Sequence, residues 1–424
     1  MTTAVESAGK IPWWKEPTKQ QWLAWWAAWL GWTLDAFDFT VFLLIMLPIA
    51  KEFGVPLTGV TVVLTITLWM RLVGAVASGW VADRIGRKTP LMVSILWYSI
   101  CNFIAGFAPS FWFLFVFRAL LGIGMGAEWP AGAALAMEQW PARSRGLMSG
   151  ILQGSWGLGF LLSSAVYGLF YDNLGWRGML WVGNLPALAV IYIRYFVNEP
   201  DVWTENRKRQ RIENREVRAP LLSIFKRGVL VNTVTACWWM ASGFVVYYSI
   251  WALFATHLQK DLNLSPASVA TPIAIANFVA FLAMGFWGWV ADRIGRRWSM
   301  IIPGAMTVVV APLYLLTNDF TLIVIGFVLQ GLFGGAIYGQ FPSYLCERFP
   351  TEVRATASAF CYHQGAIFGG LVAPILTYIT VSYDVGFGVS MLFGTVVGAV
   401  SFVCSLLVSP ETKGKVLVPD LVLA

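Results

Sequence analysis

Apolar stretches of about twenty residues recur along the whole chain, and they constrain its fold more than any other feature. A helix of about 20 apolar residues crosses the hydrocarbon core of a bilayer. The 424 residues are 58% hydrophobic and 12% charged, about half the charged fraction of a soluble globular protein. The sequence therefore predicts an all-α polytopic membrane protein. Its twelve stretches, numbered spans 1 to 12, lie near 22–50, 58–82, 89–108, 111–138, 145–171, 176–197, 229–257, 267–291, 298–317, 320–346, 354–380 and 385–408.

The distribution of basic residues predicts how these spans are oriented. Of the 29 Lys and Arg residues, 23 lie in the two tails or in the loops on the side of the tails. The loops on the opposite side hold only Lys51, Arg177 and Lys260. Because basic residues are retained on the cytoplasmic side, both termini are predicted to be cytoplasmic, in an inner or plasma membrane. The net charge of +7 is therefore a sign of topology and not of nucleic-acid binding.

A charged segment near the middle divides the chain into two parts. It covers residues 198–228 and contains "ENRKRQRIENREVR". We interpret it as a linker that lies on anionic headgroups, with a specific partner site as the alternative. The predicted divisions are a cytoplasmic N-tail (1–21), an N-terminal six-helix half (22–197), the linker (198–228), a C-terminal six-helix half (229–408) and a cytoplasmic C-tail (409–424).

Several classes of protein are not expected. Residues 1–20 are polar and contain no apolar core, so no cleaved signal peptide is expected. The five cysteines stand singly inside apolar stretches, which predicts neither a disulfide framework nor a metal site. The sequence offers no nucleophile–base constellation, so we expect neither an enzyme nor a bound cofactor. A monomer in the lipid bilayer is expected.

Two halves of the chain repeat one another at a fixed offset. "GWVADRIGRK" at 79–88 returns as "GWVADRIGRR" at 288–297, and "EQWPARSR" at 138–145 matches "ERFPTEVR" at 347–354. The same offset of 209 residues at separate places predicts two homologous six-span halves. Parallel halves with a site between them near the bilayer midplane are one of the standard transporter plans.

The repeated loop resembles the signature loop of the major facilitator superfamily, and this resemblance implies that superfamily's two-half, twelve-helix fold. Charges at the helix ends could bridge the halves when the cytoplasmic side is shut and exchange partners when it opens. The alternative is simple retention of basic residues on the inside. The predicted cytoplasmic gate comprises Gly79, Asp83, Arg84, Gly86, Arg87, Lys88, Glu138, Arg145, Asp292, Arg293, Arg296, Arg297, Glu347 and Arg354.

The first half keeps ionisable residues inside its spans, where each costs about 2.5–3.5 kcal/mol on insertion scales. These residues are Asp35, Asp38, Arg71, Arg118 and Glu128. The equivalent positions of the second half hold Phe244, Tyr247, Ala280, Phe327 and Ile337. The first half is therefore predicted to handle charge, while the second supplies neutral polar groups.

The spacing of the buried charges suggests their roles. Asp35 and Asp38 share a helix face, and two carboxylates close together in a low dielectric cannot both ionise cheaply. Proton coupling is therefore assigned to Asp35, Asp38 and Glu128. Arg118, with Arg71 as its substitute, is predicted to hold a substrate carboxylate through its planar fork; Glu128 could also pair with one of the two arginines. The alternative is a static ion-pair network.

Neutral polar residues in the spans are further candidates for substrate binding. Buried side chains of this kind also simply bond neighbouring helices, which is the alternative at each position. His363 could in addition carry a proton. The candidates are Gln153, Tyr247, Tyr248, Tyr338, Gln340, Tyr362, His363 and Gln364.

Three further segments resemble the proton-symporter family that contains sialic acid and lactate transporters: "IPWWKEPTKQQWLAWWAAWLGWTLDAFDFTVF", "GIGMGAEWPAGAALAMEQWP" and "GWRGMLWVGNLPALAV". "CYHQG" at 361–365 is closer to the lactate-like members. The resemblance implies import of a small organic acid anion with protons, most simply a lactate-like monocarboxylate. Sialic acid and aromatic acid symport are alternatives. A proton-driven drug efflux pump of the same fold and a nutrient sensor are the rival functions.

Overall fold

The computed structural model describes residues 12–185, 187–214, 216–217, 220–264 and 266–419. Ten helical segments in these ranges are long and apolar enough to cross a membrane. One of them, Arg145–Phe196, contains two spans, and the helix Lys88–Ala105 supplies one more. The fold is therefore all-helical with twelve spans, as predicted. The two predicted tails fall partly outside the described residues.

The first half consists of helices α1 to α6. The left-handed backbone of Gly175 (φ 62°) interrupts α5 and separates span 5 from span 6. Glycine tolerates this conformation because it has no Cβ. The helices are α1 (Lys19–Phe53), α2 (Leu57–Ile85), α3 (Lys88–Ala105), α4 (Phe111–Gln139), α5 (Arg145–Val182) and α6 (Ala187–Phe196).

Part of the linker is helical and docks onto the first half. Helix α7 (Asp201–Ile212) is followed by the single turn α8 (Pro220–Ser223). The indole of Trp203 donates a hydrogen bond to the carbonyl of Asp83 at 3.2 Å, and Asn206 and Gln210 are buried. The described part of the linker is thus held against the protein.

The second half consists of helices α9 to α16. Span 7 is divided between α9 and α10, and span 10 contains a π-helical turn (Gly331–Gly335) and a 3-10 turn (Ala336–Gln340) between α13 and α14. The helices are α9 (Arg227–Trp251), α10 (Phe254–Lys260), α11 (Pro266–Ile294), α12 (Trp298–Leu315), α13 (Phe320–Gln330), α14 (Phe341–Arg348), α15 (Arg354–Ser382) and α16 (Phe387–Leu407).

The two halves touch closely at the end that carries the repeated loops, which we call the predicted cytoplasmic end. A Cβ on Gly79 would lie 2.7 Å from the Thr356 Cα, so α2 and α15 are in backbone contact there. A Cβ on Gly288 would lie 2.5 Å from the Gly146 carbonyl oxygen, which brings α11 equally close to α5. Glycine permits such approach between membrane helices. The predicted cytoplasmic end is therefore shut.

Candidate functional site

The two aspartates of span 1 each face a different arginine inside the first half. The Asp35 Oδ1 lies 3.5 Å from a terminal nitrogen of Arg71, and the Asp38 Oδ2 lies 3.8 Å from one of Arg118. All four side chains are buried. The structure thus brings together residues from spans 1, 2 and 4 that lie up to 83 positions apart in the sequence.

Asn102, on span 3, completes this cluster. Its amide nitrogen donates to the Asp38 carboxylate and to the Leu180 carbonyl (3.0 Å), and its amide oxygen accepts from Arg118 (3.1 Å). The Arg118 guanidinium also lies 3.9 Å over the ring of Phe42. Asn102 was not predicted, although neutral polar residues of other spans were among the candidates; a lone amide within the apolar stretch of span 3 was the available signal.

Glu128 is buried and forms no ion pair among the described residues. Only 1% of the residue is exposed, and neither carboxylate oxygen has a hydrogen-bond partner among the described residues. A Cβ on Gly31 would lie 2.5 Å from Glu128 Oε1, so the glycine leaves room for the carboxyl. Glu128 lines a small cavity with Trp32 and Trp129. Among the described residues it does not form the arginine pair that the sequence suggested.

Aromatic rings from both halves meet next to this cluster. The rings of Trp129 (span 4) and Tyr362 (span 11) stack with centroids 3.8 Å apart, and Gln153 accepts a hydrogen bond from the Trp129 indole at 3.1 Å. On the first-half side, Trp32 contacts Trp156 at 4.6 Å. Trp32 therefore lies inside the protein.

The second half supplies further rings to the same region. Phe244 lies 5.2 Å from Tyr362, 5.7 Å from Tyr338 and 6.4 Å from Tyr248, measured between ring centroids. Tyr247 lies 5.2 Å from Tyr338. Spans 7, 10 and 11 thus present a continuous aromatic surface towards span 4.

Some polar candidates of the second half bond within their own half. The Tyr338 hydroxyl donates to the Gly243 carbonyl (3.1 Å), and Gln364 donates to the carbonyls of Cys237 and Cys361 (2.9 Å each). These contacts fit the helix-bonding alternative. Gln340 is buried beside Ser343, and His363 is also buried.

At the predicted cytoplasmic end, four charged residues form what we call the linker-side seal: Asp83, Arg87, Glu138 and Arg354. Arg87 pairs with Glu138 at 2.7 Å and with Asp83 at 3.0 Å, and Arg354 reaches Glu138 from the other half at 3.0 Å. The Asp83 carboxylate also accepts from the Thr356 amide (2.9 Å) at the start of α15. A helix N-terminus favours a carboxylate, so Asp83 ties the halves together.

The second copy of the motif forms an equivalent cluster, the tail-side seal: Asp292, Arg296, Glu347 and Arg145. Arg296 pairs with Asp292 at 2.6 Å and with Glu347 at 3.0 Å, and Arg145 of the first half pairs with Glu347 at 3.1 Å. Asp292 accepts from the Gly146 amide at the start of α5 (2.8 Å). Together with Gly79, the eight residues of the two seals make nine predicted gate residues that lie at contacts between the halves.

Two glutamates that the sequence did not single out support the turns of the repeated loops. Glu199 accepts from the amides of Arg87 (2.7 Å) and Lys88 (3.0 Å), and Glu411 accepts from those of Arg296 (2.8 Å) and Arg297 (3.1 Å). Burial raises the pKa of Glu199, and the two amides oppose that effect. Both glutamates lie outside the repeated motifs, in the linker and the C-tail, so pattern comparison could not find them.

The remaining gate candidates serve the turns or lie at the periphery. Gly86 has a positive φ angle (116°), as does its counterpart Gly295 (106°), which was not a candidate; glycine accepts both without strain. Arg84 and Arg293 lie over the rings of Trp80 and Trp289 at 4.8 and 3.3 Å, away from the seals. Lys88 and Arg297 donate to carbonyls of their own halves, at Val197 (2.7 Å) and Leu407 (2.8 Å).

Comparisons with known proteins agree with this architecture. The chain is 30% identical over 410 residues to the sialic acid transporter NanX of Escherichia coli (strain K12), covering 95% of this chain and 97% of that protein. It is 29% identical over 412 residues to a protein of Cupriavidus pinatubonensis (strain JMP 134 / LMG 1197) named as a probable 4-methylmuconolactone transporter, covering 95% and 93%. Its fold is similar to that of the proton:xylose symporter XylE, with 18% identity, 94% and 98% coverage and a TM-score of 0.74.

A family model matches nearly all of both halves. The model described as Major Facilitator Superfamily matches residues 28–256 and 242–420. The protein is accordingly a multi-pass protein of the inner membrane and a secondary transporter of organic compounds, not an enzyme. The chain belongs to the major facilitator superfamily.

Proposed function

We propose that this transporter is a symporter that imports an organic carboxylate together with one or more protons. The observation that carries the proposal is the buried cluster of the first half, where Asp35 and Asp38 each face a guanidinium group and a third carboxyl, Glu128, is buried against span 1 at Gly31. Uncompensated charge inside a membrane protein is costly, so a neutral cluster needs one carboxyl to hold a proton. A group that must be protonated in one arrangement and can lose the proton in another is a proton carrier.

Of the two arginines, the geometry favours Arg71 as the anchor for the substrate carboxylate. Arg118 is fully buried and held by Asp38, Asn102 and Phe42. Arg71 has 6% of its surface exposed and lies 5.4 Å over the ring of Phe39, which contacts the Trp156 of the aromatic region. An anion that approaches along these rings reaches Arg71 first.

The proposed cycle starts from the arrangement seen here, with the predicted cytoplasmic end shut. A proton that enters from the opposite side is taken up by Asp38 and passed to Asp35 on the same helix face, which frees Arg71 to bind the substrate carboxylate. The two halves then rock about the midplane, and the linker-side and tail-side seals separate. Release of substrate and proton to the cytoplasm restores the pair between Asp35 and Arg71.

The sequence predicts a lactate-like monocarboxylate as the substrate, and the aromatic region favours a second candidate. Rings of both halves, among them Trp129, Tyr362 and Phe244, lie next to the cluster and suit a larger flat or cyclic acid. The relatives named for sialic acid and 4-methylmuconolactone transport also point to acids other than lactate. We include in the proposal the predicted cytoplasmic location of both termini, the division into two six-helix halves, and a monomeric state.

Uptake by the purified protein in proteoliposomes tests this function. Labelled lactate, benzoate and sialic acid are offered under an inward proton gradient. We expect uphill accumulation of at least one acid and its collapse on addition of a protonophore. Accumulation that is independent of the gradient would contradict proton symport, and dye export without acid uptake would favour the drug efflux pump.

Substitution of Asn102 provides a further prediction. We propose that Asn102 is a positioning residue that fixes Asp38 and Arg118 relative to one another. Asn102→Leu removes hydrogen bonds to charged groups worth about 1.5 kcal/mol or more each, so we expect proton-driven uptake to fall by roughly tenfold or more and its pH profile to shift. Uptake measured between pH 5 and 8 checks this result.

The matched control for Asn102 lies one turn earlier on the same helix. Ser99 is also buried, and its hydroxyl has no hydrogen-bond partner among the described residues. Ser99→Ala should leave the pH profile unchanged. An Asn102→Leu protein with a lower rate but the profile of the wild type would show that Asn102 has only a structural role.

A further inference from the structure

The two seals have matching cores but different charges around them. Charges are compared over equivalent positions: the repeated loops (79–88 and 288–297), the other seal residues, positions 352 and 143, and the segments 199–203 and 411–415. On the linker side these positions hold the basic residues Arg84, Arg87, Lys88 and Arg354 and the acidic residues Asp83, Glu138, Glu199, Asp201 and Glu352. On the tail side they hold the basic residues Arg143, Arg145, Arg293, Arg296, Arg297, Lys413 and Lys415 and the acidic residues Asp292, Glu347 and Glu411. The formal charges are therefore −1 and +4.

Three positions account for this difference of five charges. At the offset of 209, Arg143 stands where the linker-side seal has Glu352. Glu199 and Glu411 cap equivalent turns, and two residues after each of them the linker side has Asp201 and the tail side has Lys413. Four residues after each glutamate, the linker side has Trp203 and the tail side has Lys415. Retention of basic residues on the inside explains cations on both seals, but it does not explain their concentration on one.

A cavity lies beside the tail-side seal, which carries the larger positive charge. Its lining consists of Ala142, Arg143, Asp292, Arg296, Lys413 and Gly414, and its volume is about 140 Å³. That volume holds several water molecules and so has room for a phosphate group. Two of the lining residues are basic where the linker side has an acidic residue: Arg143 corresponds to Glu352, and Lys413 corresponds to Asp201.

The carboxylate in the cavity lining is already engaged. Asp292 accepts from the amides of Gly146 (2.8 Å) and Leu147 (2.9 Å) and pairs with Arg296 at 2.6 Å. The exposed side chains of Arg143 and Lys413 add two positive charges beside it. The cavity is thus positive and open to solvent.

We propose that this cavity binds a phosphate-bearing anion. Arginine presents paired donors that match phosphate oxygens, and lysine adds a compact charge. The anion is either the headgroup of an anionic phospholipid, which is enriched near the basic end of a membrane protein, or inorganic phosphate. This site is separate from the buried cluster of the first half and does not depend on which substrate the protein carries.

The position of the cavity gives the anion a conformational effect. Arg143 belongs to the first half, Asp292 and Arg296 to the second half, and Lys413 to the C-tail. An anion bound to all three segments holds the halves together at the predicted cytoplasmic end. A ligand that binds one arrangement better shifts the population towards it, so this anion favours the arrangement that is shut at that end.

Thermal unfolding of the purified full chain in neutral detergent tests the proposal, with tryptophan fluorescence as the signal. One arm adds sodium phosphate, with sodium chloride at equal ionic strength as its control. The other arm adds phosphatidylglycerol to the micelles, with phosphatidylcholine as its control. We expect Tm to rise in at least one arm. A rise with phosphatidylglycerol alone shows that the site takes the lipid headgroup. A rise with phosphate, with or without a response to phosphatidylglycerol, shows that the site also takes the free anion.

The key variant gives the tail side the residues of the linker side. In Arg143→Glu/Lys413→Asp we expect the concentration of anion for half-maximal stabilisation to rise at least about tenfold, as for a loss of roughly 1.4 kcal/mol. Lys51→Glu/Lys260→Asp makes the same change of charge at exposed residues of the opposite end and should respond like the wild type. Arg143→Gln/Lys413→Gln is the milder variant if the first does not fold. A wild type that no anion stabilises, or tail-side variants with the full response, would overturn the proposal.

Discussion

Asp38→Asn is expected to abolish accumulation of the substrate against its gradient while leaving substrate exchange in place. The asparagine has the size of the aspartate and can still accept the hydrogen bond from Asn102, so the cluster keeps its shape. It cannot take up and release a proton, and it leaves Arg118 without its carboxylate partner. One proton per substrate supports about tenfold accumulation for each unit of pH gradient, because 1.4 kcal/mol corresponds to a factor of ten. The variant should reach only equal concentrations on both sides.

Two measurements on the same proteoliposomes check this expectation. Net uptake under an imposed inward proton gradient reports coupling, and exchange of labelled for unlabelled substrate at symmetric pH reports the rest of the cycle. Asp384→Asn, an exposed carboxylate far from the cluster, is the matched control and should behave like the wild type. Undiminished accumulation by Asp38→Asn would remove Asp38 from the coupling mechanism.

The sequence could predict the twelve spans and the superfamily, because both leave local patterns in the chain: apolar stretches in one case and a repeated charged loop in the other. A site residue on span 3 could not be identified from such patterns. Asn102 carries no charge, so it did not stand out among Ser and Tyr residues, yet it touches both members of the pair between Asp38 and Arg118. Its partner Leu180 contributes through a backbone carbonyl, which no side-chain pattern reveals.

Pairing inside the site also depends on packing that the sequence does not display. Asp35 and Asp38 share one helix face, but they select arginines on different spans because spans 2 and 4 approach span 1 from different directions. Glu128 lies on the same span as Arg118, yet it faces Gly31 and the cavity beside Trp32. Glu199 and Glu411 reach the seals from segments outside the repeat, so only the folded chain brings them there.

Arg71→Lys is expected to raise the KM for the carboxylate by about 10- to 100-fold with a smaller effect on the maximal rate. A lysine keeps the positive charge beside Asp35, but a single ammonium group cannot present the paired donors that a guanidinium offers to two carboxylate oxygens. Loss of one hydrogen bond between charged groups costs about 1.5–3 kcal/mol, which corresponds to this range of affinity. Initial rates of uptake over a series of substrate concentrations, at a fixed proton gradient, measure both constants.

Arg118→Lys is the comparison that separates the two arginines, since both are buried and both face an aspartate of span 1. Arg118 is held between Asn102 and Phe42, so its replacement should disturb the environment of Asp38 and lower accumulation more than it raises KM. The opposite outcome, with KM raised in Arg118→Lys and unchanged in Arg71→Lys, would exchange the two roles. It would also place the substrate deeper in the first half, away from the rings of Trp129 and Tyr362, and the aromatic region would then no longer favour a flat or cyclic acid over a lactate-like one.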